Sequence, residues 1–110
     1  MSKVIDITSP EQLKTVVAEN PLVVGDFWAE WCGPCRALSP MIEKLADDYG
    51  DQVTVVKINV DNNPELSAMF GIQSIPTVAT WKGDLSDAKG FIGVKPYEAI
   101  KAFVEDRINN

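Results

Sequence analysis

Apolar positions along the chain switch between a period of two and a period near 3.6, and the switches mark out the elements. Val4 to Ile7 is a short apolar run that reads as a strand. Ser9-Pro10-Glu11-Gln12 then supplies an N-cap, a proline at the first helical position, and a glutamine placed to complete a capping box. The helix it starts presents Leu13, Val16 and Val17 on one stripe and ends before Pro21. Leu22 to Ala29 is almost continuously apolar, as in a central strand covered on both faces, with Gly25 and Asp26 as the exceptions.

From Pro34 the positions Leu38, Met41, Ile42, Leu45, Ala46 and Tyr49 recur at helical spacing until Gly50 stops them. Pro40, inside that pattern, lacks the N–H the helix needs and predicts a kink. Val53 to Val60 is a second buried strand with one charge, Lys57, and Asn63-Pro64 opens a short helix through Leu66, Met69 and Phe70 that Gly71 closes. Met41 and Met69 both fall on helix stripes and are expected to pack inward. Thr77 to Trp81 and Gly90 to Val94 read as strands joined by the polar segment Lys82 to Lys89, an antiparallel hairpin with a loose turn. Pro96 begins the last helix, with Tyr97, Ile100, Phe103, Val104 and Ile108 on its buried side.

Early strands separated by helices need crossover connections and so run parallel, while the hairpin adds antiparallel strands to one side. The pattern therefore predicts an α/β fold, with a central mixed sheet of about five strands flanked by helices.

Length and charge narrow the function. At 110 residues the chain is expected to be a single domain, residues 1–110, large enough to fold without disulfide or metal staples. A formal charge of −6 argues against binding nucleic acid. No apolar run is long enough to span a membrane and the N-terminus lacks a signal-peptide pattern, so the expectation is a soluble cytoplasmic protein with no membrane partner. Histidine is absent, which excludes Ser-His-Asp and Cys-His catalysis and leaves cysteine and carboxylate chemistry.

The chain has 2 cysteines, and Trp31-Cys32-Gly33-Pro34-Cys35-Arg36 places both where a buried strand gives way to a helix. Positions i and i+3 of a first helical turn face the same way, within reach of a disulfide. Cys32 lies where unpaired backbone N–H groups and the positive end of the helix dipole stabilise an anion, so its thiolate is favoured. An inert structural disulfide is the bland alternative, but so short a loop stabilises by only roughly 2 kcal/mol. A closed zinc site needs four ligands, so zinc would require a second chain.

Asp26 groups by alternation with Leu22, Val24 and Trp28 on a face expected to be packed, where desolvation raises a carboxyl pKa toward neutral. A solvated strand end is its alternative reading. Lys57 is the lone charge of the other buried strand; it partly compensates Asp26 if the strands are neighbours, or else lays its stem along the sheet with its amine in water. Trp28 reads as core and Trp31 as core or exposed contact surface, while Ile75-Pro76-Thr77 reads only as the turn into a strand.

The segment Asp26-Phe27-Trp28-Ala29-Glu30-Trp31-Cys32-Gly33-Pro34-Cys35 resembles the active-site segment of the thioredoxins, and the similarity runs over nearly the whole chain. The resemblance implies the thioredoxin fold with four helices, and a general protein-disulfide reductase that needs no metal or organic cofactor. It implies a thioredoxin reductase, drawing on NADPH or in some lineages ferredoxin, and disulfide-containing client proteins as partners. It further implies Cys32 as attacking thiolate, Cys35 as resolving thiol, Asp26 as buried acid/base with Lys57 as its neighbour, and Pro76 as a cis-proline that turns Ile75 toward an extended substrate. Trp31, Gly33, Pro34, Ile75, Pro76 and Gly93 would form the apolar contact surface.

Three positions and one turn depart from the common family pattern. Gly25 stands for a branched residue and is expected to loosen packing beside Asp26, Arg36 stands for lysine and Ser74 for glycine. The turn from Lys82 to Lys89 is about one residue longer than usual, leaving the hairpin register open. A disulfide oxidant or isomerase of the same fold is the rival enzyme, and a redox-independent scaffold subunit the rival of another class. The chain is expected to be a monomer, having no heptad pattern.

Overall fold

A computed structural model describes residues 4–110. The elements run β1 (Val4–Asp6), α1 (Pro10–Glu19), β2 (Val23–Trp28), α2 (Gly33–Tyr49), β3 (Thr54–Asn59), α3 (Pro64–Met69), β4 (Thr77–Trp81), β5 (Ala88–Ile92) and α4 (Tyr97–Asn109). Ser9 caps α1 as its sequence requires, its Oγ accepting the Gln12 N–H at 3.1 Å. Gln12 reaches back one residue beyond the cap, its Oε1 accepting the Thr8 N–H at 2.7 Å. No helix among the described residues is long and apolar enough to cross a membrane.

The 5 strands form one sheet in the order β1-β3-β2-β4-β5. The β1, β3 and β2 strands are parallel, as crossover connections demand, and β4 and β5 join antiparallel. Strand β2 lies at the centre, and alternation sends its side chains into two cores. Leu22 and Val24 pack with Val55, Val78, Leu38 and Ile42 of α2, and Ile100 and Val104 of α4. Val23 and Phe27 pack on the other side with Val56, Ile58 and Trp81, covered by Leu13 and Val17 of α1 and Leu66 of α3.

Several expectations are corrected by this packing. Met69 is 51% exposed rather than packed inward, because α3 is short and Phe70, one residue on, takes the place against the core. Strand β5 begins at Ala88 and ends at Ile92, not Gly90 to Val94, since Gly93 turns the chain with a φ of 91° and leaves Val94 exposed beyond the sheet. Helix α2 runs on through Pro40, the position where a kink is expected, and Pro40 lies on its exposed side.

Gly25 does not loosen the packing beside Asp26. A Cβ there would meet the Trp81 ring at 2.6 Å, so the ring already fills the space a larger residue would take. Trp81 is fully buried, with its ring tilted against Phe70 at 5.2 Å and edge-on to Phe27 at 6.4 Å, which makes this aromatic cluster the centre of one core.

The hairpin register runs from Thr77 opposite Ile92 to Trp81 opposite Ala88. Arg107, at 3% exposure, secures it from α4. Its Nε donates to Thr80 Oγ1 at 2.8 Å, and its Nη2 donates to the Asp87 carboxylate at 2.8 Å and the Asp87 carbonyl at 3.0 Å. The Lys82 N–H donates to the same carboxylate at 3.1 Å, closing the turn around one ion pair.

The Gly25 contact is testable by a double-mutant cycle. Gly25→Ala is expected to destabilise by about 1–3 kcal/mol through overpacking, and by distinctly less in a Trp81→Phe background, measured by denaturant unfolding.

Candidate active site

The two cysteines stand at the junction of β2 and α2. A turn in which the Cys32 N–H donates to the Ala29 carbonyl at 3.2 Å delivers Cys32 to the N-cap of α2. Cys32 is therefore the cap itself rather than a residue of the first turn, and its Sγ accepts the Cys35 N–H at 3.2 Å, the role an oxygen plays in an ordinary cap. A disulfide joins the pair with the Cα atoms 5.3 Å apart. Cys32 is 5% and Cys35 3% exposed, whereas Gly33 and Pro34 between them are open to solvent. Arg36 steadies the approach, its Nη2 donating to the Glu30 carbonyl at 2.9 Å.

Trp31 is 69% exposed rather than core, and its indole N–H donates to the Asp61 carboxylate at 2.9 Å. Trp28 is half-buried against the cysteines and not wholly core. The Ile75–Pro76 peptide bond is cis, where the residues by themselves read only as a turn. The Ile75 side chain packs on the cluster of Ala29, Cys32 and Cys35. The Gly93 N–H donates to the Pro76 carbonyl at 2.8 Å, tying the end of β5 to the proline loop. Among the described residues no backbone hydrogen bond engages the Ile75 N–H or C=O. A groove of about 590 Å³ runs beside this segment, walled by Trp31, Val60, Ile72, Ser74 and Ile75.

Asp26 is fully buried and neither of its carboxyl oxygens has a hydrogen-bond partner. Burial pushes its pKa up to about 6; the positive charge of Lys57 opposes the rise and the negative charge of Glu43 adds to it. Lys57 is its direct neighbour across the β2–β3 ladder, yet the two do not form an ion pair. The Lys57 Nζ instead donates to Ser39 Oγ at 2.7 Å and lies 4.8 Å from the centre of the Trp28 ring. A cavity of about 250 Å³ lined by Trp28, Cys35, Arg36, Ser39 and Lys57 opens here.

Three residues, two of them at the site and Arg107 at the hairpin turn, escaped the sequence reading. Ser39 lies one helical turn beyond Cys35, a spacing that places it on the same face and was legible. Asp61 and Arg107 act across 30 and 27 residues of chain, and no local pattern announces them. No group of three or more His, Cys, Asp or Glu side chains able to hold a metal occurs among the described residues.

The raised pKa of Asp26 makes folding stability depend on pH. The folded state holds this proton more tightly than the unfolded chain between the ordinary value of 3.8 and about 6. The contribution of Asp26 to stability is therefore greatest below that window and falls as pH rises through it, by about 2 to 3 kcal/mol in total. In the oxidised protein, Asp26→Asn is expected to be more stable than the parent by that amount at pH near 8 and nearly equal to it at pH near 4, as measured by denaturant unfolding at both pH values.

Comparison with known proteins agrees with this geometry. The family model described as Thioredoxin matches residues 4–106. A thioredoxin of Alicyclobacillus acidocaldarius is 43% identical over 100 residues, covering 91% of this chain and 93% of its own. A thioredoxin of Rhodospirillum rubrum is 42% identical over 106 residues, covering 96% and 97%. Among solved structures, a mutant thioredoxin from Halobacterium salinarum superposes with a TM-score of 0.87 at 29% identity, covering 96% of this chain and 91% of that one. A match of this extent in sequence and backbone leaves one assignment: the chain belongs to the thioredoxin family of protein-disulfide oxidoreductases.

Proposed function

We propose that the chain is a general protein-disulfide reductase in which Cys32 is the attacking thiolate and Cys35 the resolving thiol. The observation that carries this reading is the Cys32 sulfur capping α2, where it accepts the Cys35 N–H at 3.2 Å. In the reduced protein the same backbone donor and the helix dipole favour the thiolate at Cys32. That thiolate attacks a client disulfide, forms a mixed disulfide and expels the first client thiolate. Cys35, buried behind it, loses its proton and attacks the Cys32 sulfur. The Cys32–Cys35 disulfide forms, the second client thiolate leaves, and the client has gained two electrons.

Asp26 is the group we assign to take the Cys35 proton, because its ladder neighbour Lys57 lines the same cavity as Cys35, its pKa is pushed up to about 6 and its oxygens have no hydrogen-bond partner. Lys57 tempers that pKa through its charge. An extended client segment would pair with the open backbone of Ile75 and lie over the exposed Trp31, Gly33 and Pro34, with Pro76 and Gly93 holding the loop that receives it. All of these groups come from one copy of one domain, so the mechanism asks only for a monomer.

The partner we assign for recharging is a thioredoxin reductase, which returns two electrons to the disulfide. A Mycobacterium leprae relative, 36% identical over 106 residues that make up 23% of its length, is a bifunctional thioredoxin reductase/thioredoxin. A dithiol reductant works only where the surroundings keep it reduced, which favours the cytoplasm. A relative from Chlamydomonas reinhardtii is chloroplastic.

Two variants test the division of labour. Cys35→Ser is expected to accumulate covalent client complexes, visible on non-reducing gels, whereas Cys32→Ser forms none. Both are expected to lose reduction of a protein disulfide driven by thioredoxin reductase. Equal trapping by the two variants would contradict the assigned roles.

A further inference from the structure

Asp26 and Lys57 face each other across the β2–β3 ladder, and the simplest way to relieve a fully buried carboxylate is to lay the neighbouring ammonium on it. The structure does otherwise. The Lys57 Nζ donates to Ser39 Oγ at 2.7 Å and rests over Trp28, while both Asp26 oxygens stay without a partner. The Ser39 hydroxyl donates onward to Glu43 Oε2 at 3.3 Å. Its proton is thereby committed to Glu43 and its lone pair is turned to the ammonium, which fixes it as an acceptor for Lys57.

The other charged groups around this point are engaged or remote. Arg36 lines the same cavity, but its guanidinium is bonded to the Glu30 carbonyl. The Glu30 and Glu43 side chains are exposed, and Glu43 acts on Asp26 in the sense opposite to Lys57. In the reduced protein the Cys35 thiol is the remaining ionisable group at the cavity wall.

We propose that Ser39 is a positioning residue whose hydroxyl holds the Lys57 ammonium over Trp28 and away from Asp26, keeping that carboxyl unpaired and free to exchange a proton with Cys35. The inference rests on the assignment of Asp26 as the acid/base for Cys35. Ser39 touches neither sulfur nor carboxyl in this scheme; it acts only through the lysine. With the hydroxyl removed, the lysine stem is free to swing to its ladder neighbour, where an opposite charge within about 4–6 Å lowers a carboxyl pKa by about 1–3 units.

The test is the titration of the Asp26 carboxyl carbon, followed by NMR in the oxidised protein. Ser39→Ala retains the fold, because alanine favours a helix and the lost hydroxyl is only half-buried. The Asp26 midpoint is expected to fall by about one unit in Ser39→Ala and to return in Ser39→Thr, which keeps a hydroxyl. In a Lys57→Met background, Ser39→Ala is expected to produce no shift. An unchanged or raised midpoint in Ser39→Ala, as when Lys57 turns out to Glu43, would overturn the proposal. So would an equal shift in the Lys57→Met background. The acid/base assignment is judged separately: if Asp26→Asn leaves the pH profile of mixed-disulfide resolution unchanged, Asp26 is not the base, whatever the titration shows about Ser39.

Discussion

Strand β2 is paired on both edges and covered on both faces, and the position of everything chemical follows from that confinement. A strand held on four sides has one place to release the chain, at its C-terminal end. There the turn through Ala29 sets Cys32 at the mouth of α2, and α2 is itself held by Leu38, Ile42 and Leu45 against the same sheet. The disulfide therefore sits at the start of one anchored helix, so the Cys32 sulfur keeps its bond to the Cys35 N–H.

The same confinement creates the opposite electrostatic condition a few residues away. At the helix mouth, aligned backbone N–H groups favour a negative sulfur. Inside the sheet, at Asp26, removal of water disfavours a negative carboxyl, and no hydrogen bond offsets it. The helix mouth and the sheet interior thus offer opposite electrostatic surroundings over a short stretch of one strand and one helix. In the proposed mechanism the sulfur at the first is the group that attacks and the carboxyl at the second the group that exchanges a proton. Surroundings of this kind come from burial and dipole alone and need no histidine, which the chain lacks. An unpartnered buried carboxyl lowers folding stability, and packed sheet faces on either side of β2 absorb that loss.

Departures from the family pattern are resolved by neighbours distant in sequence. Gly25 looks like a loss of packing until Trp81 is seen across the β2–β4 pairing, its ring occupying the missing side chain's volume. The long turn after β4 looks loose until Arg107, from the last helix, is found bonded to Asp87 and Thr80. In both places one residue's deviation is matched by another's bulk or charge, and the core remains continuous.

Local repeats were enough to read the α1 cap at Ser9, the doubly buried β2 and β3, the helical stripe of α2 and the parallel-then-antiparallel order. Each of these follows from side-chain spacing or backbone hydrogen-bonding rules that act over a few residues. The spacing of Cys32 and Cys35 after a buried strand was legible for the same reason, and so was the burial of Asp26 among apolar neighbours. Pattern alone did not reveal the cis bond at Pro76, the outward turn of Met69, the ends of β5, or the choice of Ser39 rather than Asp26 as partner of Lys57. Each depends on which atoms from remote segments occupy the adjacent space: Phe70 displaces Met69, Gly93 bends the chain after Ile92, and the Ser39 hydroxyl offers Lys57 an acceptor across 18 residues. Periodicity records which face a residue turns to the interior, but only the assembled molecule decides what it meets there.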